Sequence, residues 1–198
     1  MNLKPLRIAL WALVAVVGLG VGAGALLLNN RSQAVASTFG AGTYELVDQN
    51  GETVDQSMFV GHPSALFFGF THCPEVCPTT MAEMSGWFEQ LGDEGKDLRG
   101  YFVTIDPERD TPVILGDYVS WVSDRVTGIT GTPEEIAKIA KAWGIYYAKV
   151  PLEGDDYTMD HTASVFLIDD KGQFQGTIAY REDSAVALQK LRNLLAKS

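Results

Sequence analysis

Two cysteines make up the entire thiol complement of this 198-residue chain, and they stand four apart in Phe70-Thr71-His72-Cys73-Pro74-Glu75-Val76-Cys77-Pro78. If Cys73 and Cys77 span the first turn of a helix, their Cα atoms lie about 6 Å apart, within disulfide range and close enough for both sulfurs to reach one metal. The positive end of a helix favours thiolate, the form that both metal binding and disulfide exchange require. The pair is therefore redox-capable and metal-capable at once. An inert structural disulfide is the weaker reading, because closing so short a loop removes little unfolded-state entropy. Two thiolates are too few for a closed zinc site or an iron–sulfur cluster, which take four ligands. A third donor must come from His62, His72 or His161, the three histidines of the chain.

The elements around these residues decide among them. Ser64 to Phe70 is a continuous apolar run after Pro63 and reads as a buried central strand leading into the cysteines. A helix beginning near Pro74 or Pro78 carries Met81, Met84, Trp87, Phe88 and Leu91 at three- and four-residue spacing, one apolar face. Leu98 to Ile105 is the next strand, followed by a helix over Thr111 to Val122 with Pro112 in its first turn and a short strand over Val126 to Ile129. Thr132-Pro133-Glu134-Glu135 is a capping box opening a helix to Trp143. Tyr146 to Val150, Ser164 to Ile168 and Gln173 to Tyr180 read as strands, and a closing amphipathic helix runs from Asp183 through Leu195. Ahead of all these, Tyr44 to Val47 and Thr53 to Val54 flank Asn50-Gly51, a hairpin signal in which both central residues take positive φ.

Crossover helices imply parallel strands, and the short turn Asp169-Asp170-Lys171-Gly172 implies an antiparallel pair, so the sheet is expected to be mixed and flanked by helices. A strand running into a Cys-Pro cluster at a helix start makes the α/β arrangement thioredoxin-like, with the cysteines at the carboxyl end of the sheet. In that arrangement Asp160-His161-Thr162, just ahead of the strand from Ser164, returns to the cysteine loop. His72 points away from Cys73 in extended chain, and His62 precedes the central strand at its far end. His161 is thus the expected third ligand. Two soft thiolates and one imidazole suit copper, as Cu(I) by softness or Cu(II) by affinity.

The chain divides into three expected parts. Residues 1–30 carry Lys4 and Arg7 and then run without charge from Ile8 to Asn30, long enough to span a bilayer as a single N-terminal transmembrane helix. A signal peptide cleaved after Ala34-Val35-Ala36 is the rival reading, but its apolar core would be only about 7 to 15 residues. The cation bias leaves the N-terminus cytoplasmic and exports the rest. Gly18 with Gly22 and Gly20 with Gly24 have the spacing of helix-pairing motifs, for which incidental small residues are the simpler account. Residues 31–42 are small and polar, a linker, and residues 43–198 form one domain. Because Lys4, Arg7 and Arg31 precede it, the segment 32–198 holds the other 12 Lys and Arg against 25 Asp and Glu, a net −13. Such a surface excludes nucleic acid as a partner and suits solubility or a basic protein partner.

The stretches FFGFTHCPEVCPTT, TIDPERDTP, GTPEEIAKIAKAWGIYYAKV and YTMDHTASVFLIDDKG closely resemble the Sco/SenC family, over about Thr43 to Ala196. The resemblance implies a thioredoxin-like copper chaperone that serves assembly of the binuclear copper centre of cytochrome c oxidase subunit II. It implies Cys73, Cys77 and His161 as copper ligands, with Cys73 and Cys77 also a redox pair able to form a disulfide. Asp106, Arg109 and Asp110 fall on a family motif near the site, although helix capping and loop packing alone would account for Asp106 and Asp110. The layout places the domain on the periplasmic or intermembrane side of an inner membrane, where a copper donor and a thiol reductant are further expected partners. A thiol-disulfide oxidoreductase acting on the subunit II cysteines is the principal alternative. Typical thioredoxins use CxxC opposite a cis-proline, whereas this chain has CxxxC and no proline after Pro151. Peroxiredoxins place Pro seven and Thr three residues before the reactive cysteine, where this chain has Phe70 and Pro74. A copper sensor without catalysis is the third reading.

Overall fold

The computed structural model describes residues 11, 16–25, 39–154 and 156–198. The chain falls into two units, Met1–Thr38 and Phe39–Ser198. In the first, residues 16–25 are helical, and no helix among the described residues is long and apolar enough to cross a membrane. Of the expected transmembrane span, Ile8 to Asn30, residues 8–10, 12–15 and 26–30 lie outside the described residues.

The second unit is built on a seven-stranded mixed sheet. Its strands are β1 (Leu46–Asp48), β2 (Thr53–Val54), β3 (Ser64–Gly69), β4 (Arg99–Thr104), β5 (Val126–Thr130), β8 (Val165–Ile168) and β9 (Phe174–Ile178). In space they run β2-β1-β5-β4-β3-β8-β9. The β3–β4 and β4–β5 pairs are parallel, and β1, β8 and β9 join antiparallel. The crossovers are α1 (Val76–Leu91) between β3 and β4 and α2 (Pro112–Ser120) between β4 and β5. The helix α3 (Pro133–Ala142) follows β5, and α4 (Ser184–Leu195) closes the chain.

Local chemistry sets these elements as the sequence leads one to expect. All six residues of β3 are buried, as a strand covered on both faces requires. The face of α1 turned inward is Cys77, Thr80, Met81, Met84, Trp87, Phe88 and Leu91. Thr111, Thr132 and Asp183 cap α2, α3 and α4 through side-chain oxygens that accept backbone N–H groups, and Pro112 and Pro133 hold the first helical positions. The N-terminal hairpin forms with Leu46 opposite Val54. Its turn differs from the expected one: Gly51 alone has positive φ, +85°, because the Asp48 carboxylate accepts from the Asn50 and Glu52 N–H groups and sets a longer loop.

Two further departures matter for the site. Between β5 and β8 the chain makes a separate two-stranded sheet from β6 (Tyr147–Pro151) and β7 (Tyr157–His161). The strand expected near Tyr146 to Val150 therefore pairs outside the main sheet, and β7 was not foreseen. His161 is the last residue of that strand, opposite Tyr147. In addition α1 begins at Val76, so Cys77 lies in its first turn while Cys73 lies in the loop before it.

Candidate metal centre

Three donors converge where β3 runs into α1 and β7 ends. The ligand atoms of Cys73, Cys77 and His161 all lie within 4.8 Å of one another. Both cysteines are free thiols, Cys77 buried and Cys73 half-buried. His161 is likewise half-buried, beside a cavity of about 310 Å³ that Cys73, Val76 and His161 help to line.

The cysteine side of the site is held by the core. Cys77 is completely buried at the root of α1, and room for its sulfur exists because residue 69 is glycine. A Cβ there would come within 2.8 Å of Cys77 Sγ and 2.9 Å of the Phe102 ring. The backbone N–H of Cys77 donates to Cys73 Sγ at 3.3 Å. The neighbouring Cys77 above all, with His161 and the backbone N–H groups of Cys77 and Glu75 beside it and burial opposing, pulls the Cys73 thiol down to about 4. The Cys77 thiol is driven the opposite way by its hydrogen bond to Cys73 and by burial. The sequence assigned the pKa depression to the helix terminus for both cysteines; the structure confines it to Cys73, because the contact with Cys73 and burial drive the Cys77 thiol up.

The histidine side is oriented by its neighbours. The Nδ1–H of His161 donates to the Thr162 carbonyl at 2.9 Å, which leaves the Nε2 lone pair 3.5 Å from Cys77 Sγ. Phe67 and Phe70 meet the ring edge-on, at 6.0 and 5.9 Å between centroids. Neither other histidine reaches the site. The ring of His72 is exposed and hydrogen-bonds Thr71 Oγ1 at 3.1 Å, and His62 Nε2 lies 2.9 Å from the Tyr101 hydroxyl.

Between the two sides lies the turn after β4, which holds Asp106, Arg109 and Asp110. The buried Asp110 carboxylate accepts from the Thr71 N–H at 3.0 Å and from the hydroxyls of Thr71 and Thr104, each at 2.6 Å. It thereby fastens the start of the cysteine loop to the end of β4. The buried Asp106 carboxylate accepts from the Tyr157 hydroxyl at 2.8 Å and from Arg109 Nε. Arg109 stacks on the Tyr157 ring at 3.7 Å and donates to the Tyr157 carbonyl at 3.0 Å. Asp106 and Arg109 thus fix the start of β7, four residues before His161. Local capping and packing do not exhaust the role of these three residues, which tie together the two chain segments that carry the ligands.

Sequence reading missed Gly69, Thr71 and Tyr157. A glycine inside an unbroken apolar strand is a sign of close approach, and that signal was available for Gly69. The alternation Tyr157, Met159, His161 was the only trace of β7, a five-residue strand with a single acidic residue, Asp160.

A model of the SCO1/SenC family matches residues 32–196 of the chain. A SCO2-like protein of Rickettsia felis is 37% identical over 135 residues, which cover 67% of this chain and 66% of the relative. The human mitochondrial SCO1 homolog is 34% identical over 151 residues, 75% of this chain and 50% of the relative. The chain thus spans between half and two thirds of the length of these two relatives. Among solved structures, Bradyrhizobium japonicum ScoI with copper bound is 38% identical with a TM-score of 0.72, covering 79% of this chain and 99% of that one. Yeast Sco1 with copper bound is 29% identical with a TM-score of 0.74, covering 81% of this chain and 90% of that one.

Proposed function

This chain belongs to the SCO1/SenC family, and on that premise we propose that it binds one copper ion through Cys73, Cys77 and His161 and delivers it to the binuclear copper site of cytochrome c oxidase subunit II. The observation that carries the reading is the convergence of two thiol sulfurs and one imidazole nitrogen within 4.8 Å, a soft donor set that suits copper. Relatives of the same fold solved with copper bound support it. Cys73 meets the ion as a thiolate, and the open Nε2 of His161 faces the same point. Binding releases the proton held on Cys77. The half-exposed side, formed by Cys73 and His161, is where a partner's ligands gain access, while buried Cys77 is the last donor they reach.

The same proposal places the domain outside the cytoplasm on a single-pass inner-membrane anchor, on the periplasmic or intermembrane side. The uncharged run from Ile8 to Asn30 supports it, as do the exposed apolar side chains of Val16, Val17, Leu19 and Val21, more than half uncovered. A copper donor and a thiol reductant in that compartment complete the set of partners.

Thiol-disulfide exchange on the subunit II cysteines is the second reading, favoured by the Cys73 thiolate and its close neighbour Cys77. Copper titration of the full chain in detergent separates the two. The reduced protein is expected to bind one copper and the disulfide form none, because oxidation removes both thiolates. Equal uptake by the two forms rules out the proposed ligand set.

A further inference from the structure

The cavity beside Cys73 and His161 has one wall that neither the ligand set nor the clamp at Asp106 and Arg109 accounts for. Successive side chains of a strand point to opposite faces, so Tyr157, Met159 and His161 share one face of β7 while Thr158 and Asp160 share the other. Met159 is therefore the residue next to His161 on the ligand's own face, about 6.6 Å away along the strand. It is buried, 6% exposed, and lines the same cavity as Cys73, Val76 and His161. Of the described methionines, Met58, Met81 and Met84 do not line that cavity. Met159 also lines a second cavity, with Ile105, Ile136 and Tyr147, so this one residue borders both.

From this placement we infer that Met159 is an auxiliary copper ligand, a thioether that adds a fourth, weak donor to Cys73, Cys77 and His161. Thioether sulfur is a soft donor that selects copper, and a long, weak thioether contact beside thiolate and imidazole is an established copper geometry. Three rotatable bonds let the side chain turn its sulfur to the copper cavity or retract it among Ile105 and Ile136, and retraction leaves a position for an incoming ligand of the protein that receives the ion. A leucine or valine at 159 would fill the same apolar space without offering a donor. The inference rests on the copper reading above, and its test is chosen to keep the two apart.

The full chain, prepared with selenomethionine and loaded with one copper, is measured by X-ray absorption at the selenium and copper edges. A selenium–copper scattering path is expected, and it is expected to disappear in Met159→Leu, a near-isosteric change that cores tolerate. Copper affinity in Met159→Leu should fall by about tenfold or less, at the low end of what residues supporting a metal site contribute. Copper held by sulfur and nitrogen with no selenium path in the wild-type chain overturns the Met159 inference and leaves the Cys73, Cys77 and His161 reading standing. Because that measurement uses the wild-type chain, it decides the matter even where the variant fails to fold. Copper bound as tightly by Cys73→Ser as by wild type overturns the copper reading, and the role of Met159 with it.

Discussion

The site joins two unlike regions. One is the β3–α1 junction, where a fully buried strand, Gly69 and the root of a 16-residue helix seat Cys77 with no exposure at all. The other is the β6–β7 hairpin, a separate small sheet whose residues are mostly half-buried or exposed and which meets the core through Met159 and the polar contacts from Asp106 and Arg109 to Tyr157. Thiol chemistry belongs to the first region and needs nothing from the second except the modest help His161 gives the Cys73 thiolate. Copper retention needs both. A site built this way can lose copper through the hairpin while its two thiols stay in place in the core, and not the reverse.

The change that breaks the comparison most completely is Cys73→Ser, which removes the thiolate on which both functions converge. Copper binding and intramolecular disulfide formation should both be abolished, read by copper stoichiometry and by thiol counting after oxidation. Gly69→Ala comes next and acts on the core side alone. Its Cβ must displace Cys77 Sγ or the Phe102 ring, and overpacking of this kind costs about 1–3 kcal/mol. Denaturant unfolding should show that loss, and copper affinity and disulfide formation should fall together. The smallest effect is expected from Tyr157→Phe, which deletes the hydroxyl that donates to Asp106 and loosens only the hairpin. Copper affinity should drop by about tenfold or less, with the rate of disulfide formation unchanged. A matching loss of disulfide formation would mean that the two regions are not separable.

The same contrast explains what the sequence disclosed. The core side was legible because its signals are local and strong. An unbroken apolar run from Ser64 leads to a helix with three- and four-residue spacing, and threonine or aspartate caps mark α2, α3 and α4. The hairpin was illegible because β7 offers only Tyr157 and Met159 as apolar residues and is held by Asp106 and Arg109, 51 residues away from Tyr157 in the case of Asp106. His161 could be chosen from its place ahead of β8, but its strand could not. The division of labour between the two sulfurs was hidden for a related reason. The i, i+4 spacing treats Cys73 and Cys77 alike, and only their mutual contact and the burial of Cys77 drive its thiol up and the Cys73 thiol down.

His161→Ala tests the central claim most directly, because it removes the hairpin's ligand and leaves both sulfurs in place. Copper affinity, by competition against a chelator, and the potential of the Cys73–Cys77 couple are measured on the same full-length protein. Affinity should fall by more than the ~10- to 100-fold that supporting residues of a metal site cost. The potential should move by less than about 30 mV, equivalent to a tenfold change in the dithiol equilibrium. Unchanged copper affinity together with a displaced potential would contradict the account and make the pair an oxidoreductase centre in which His161 tunes thiols and holds no metal.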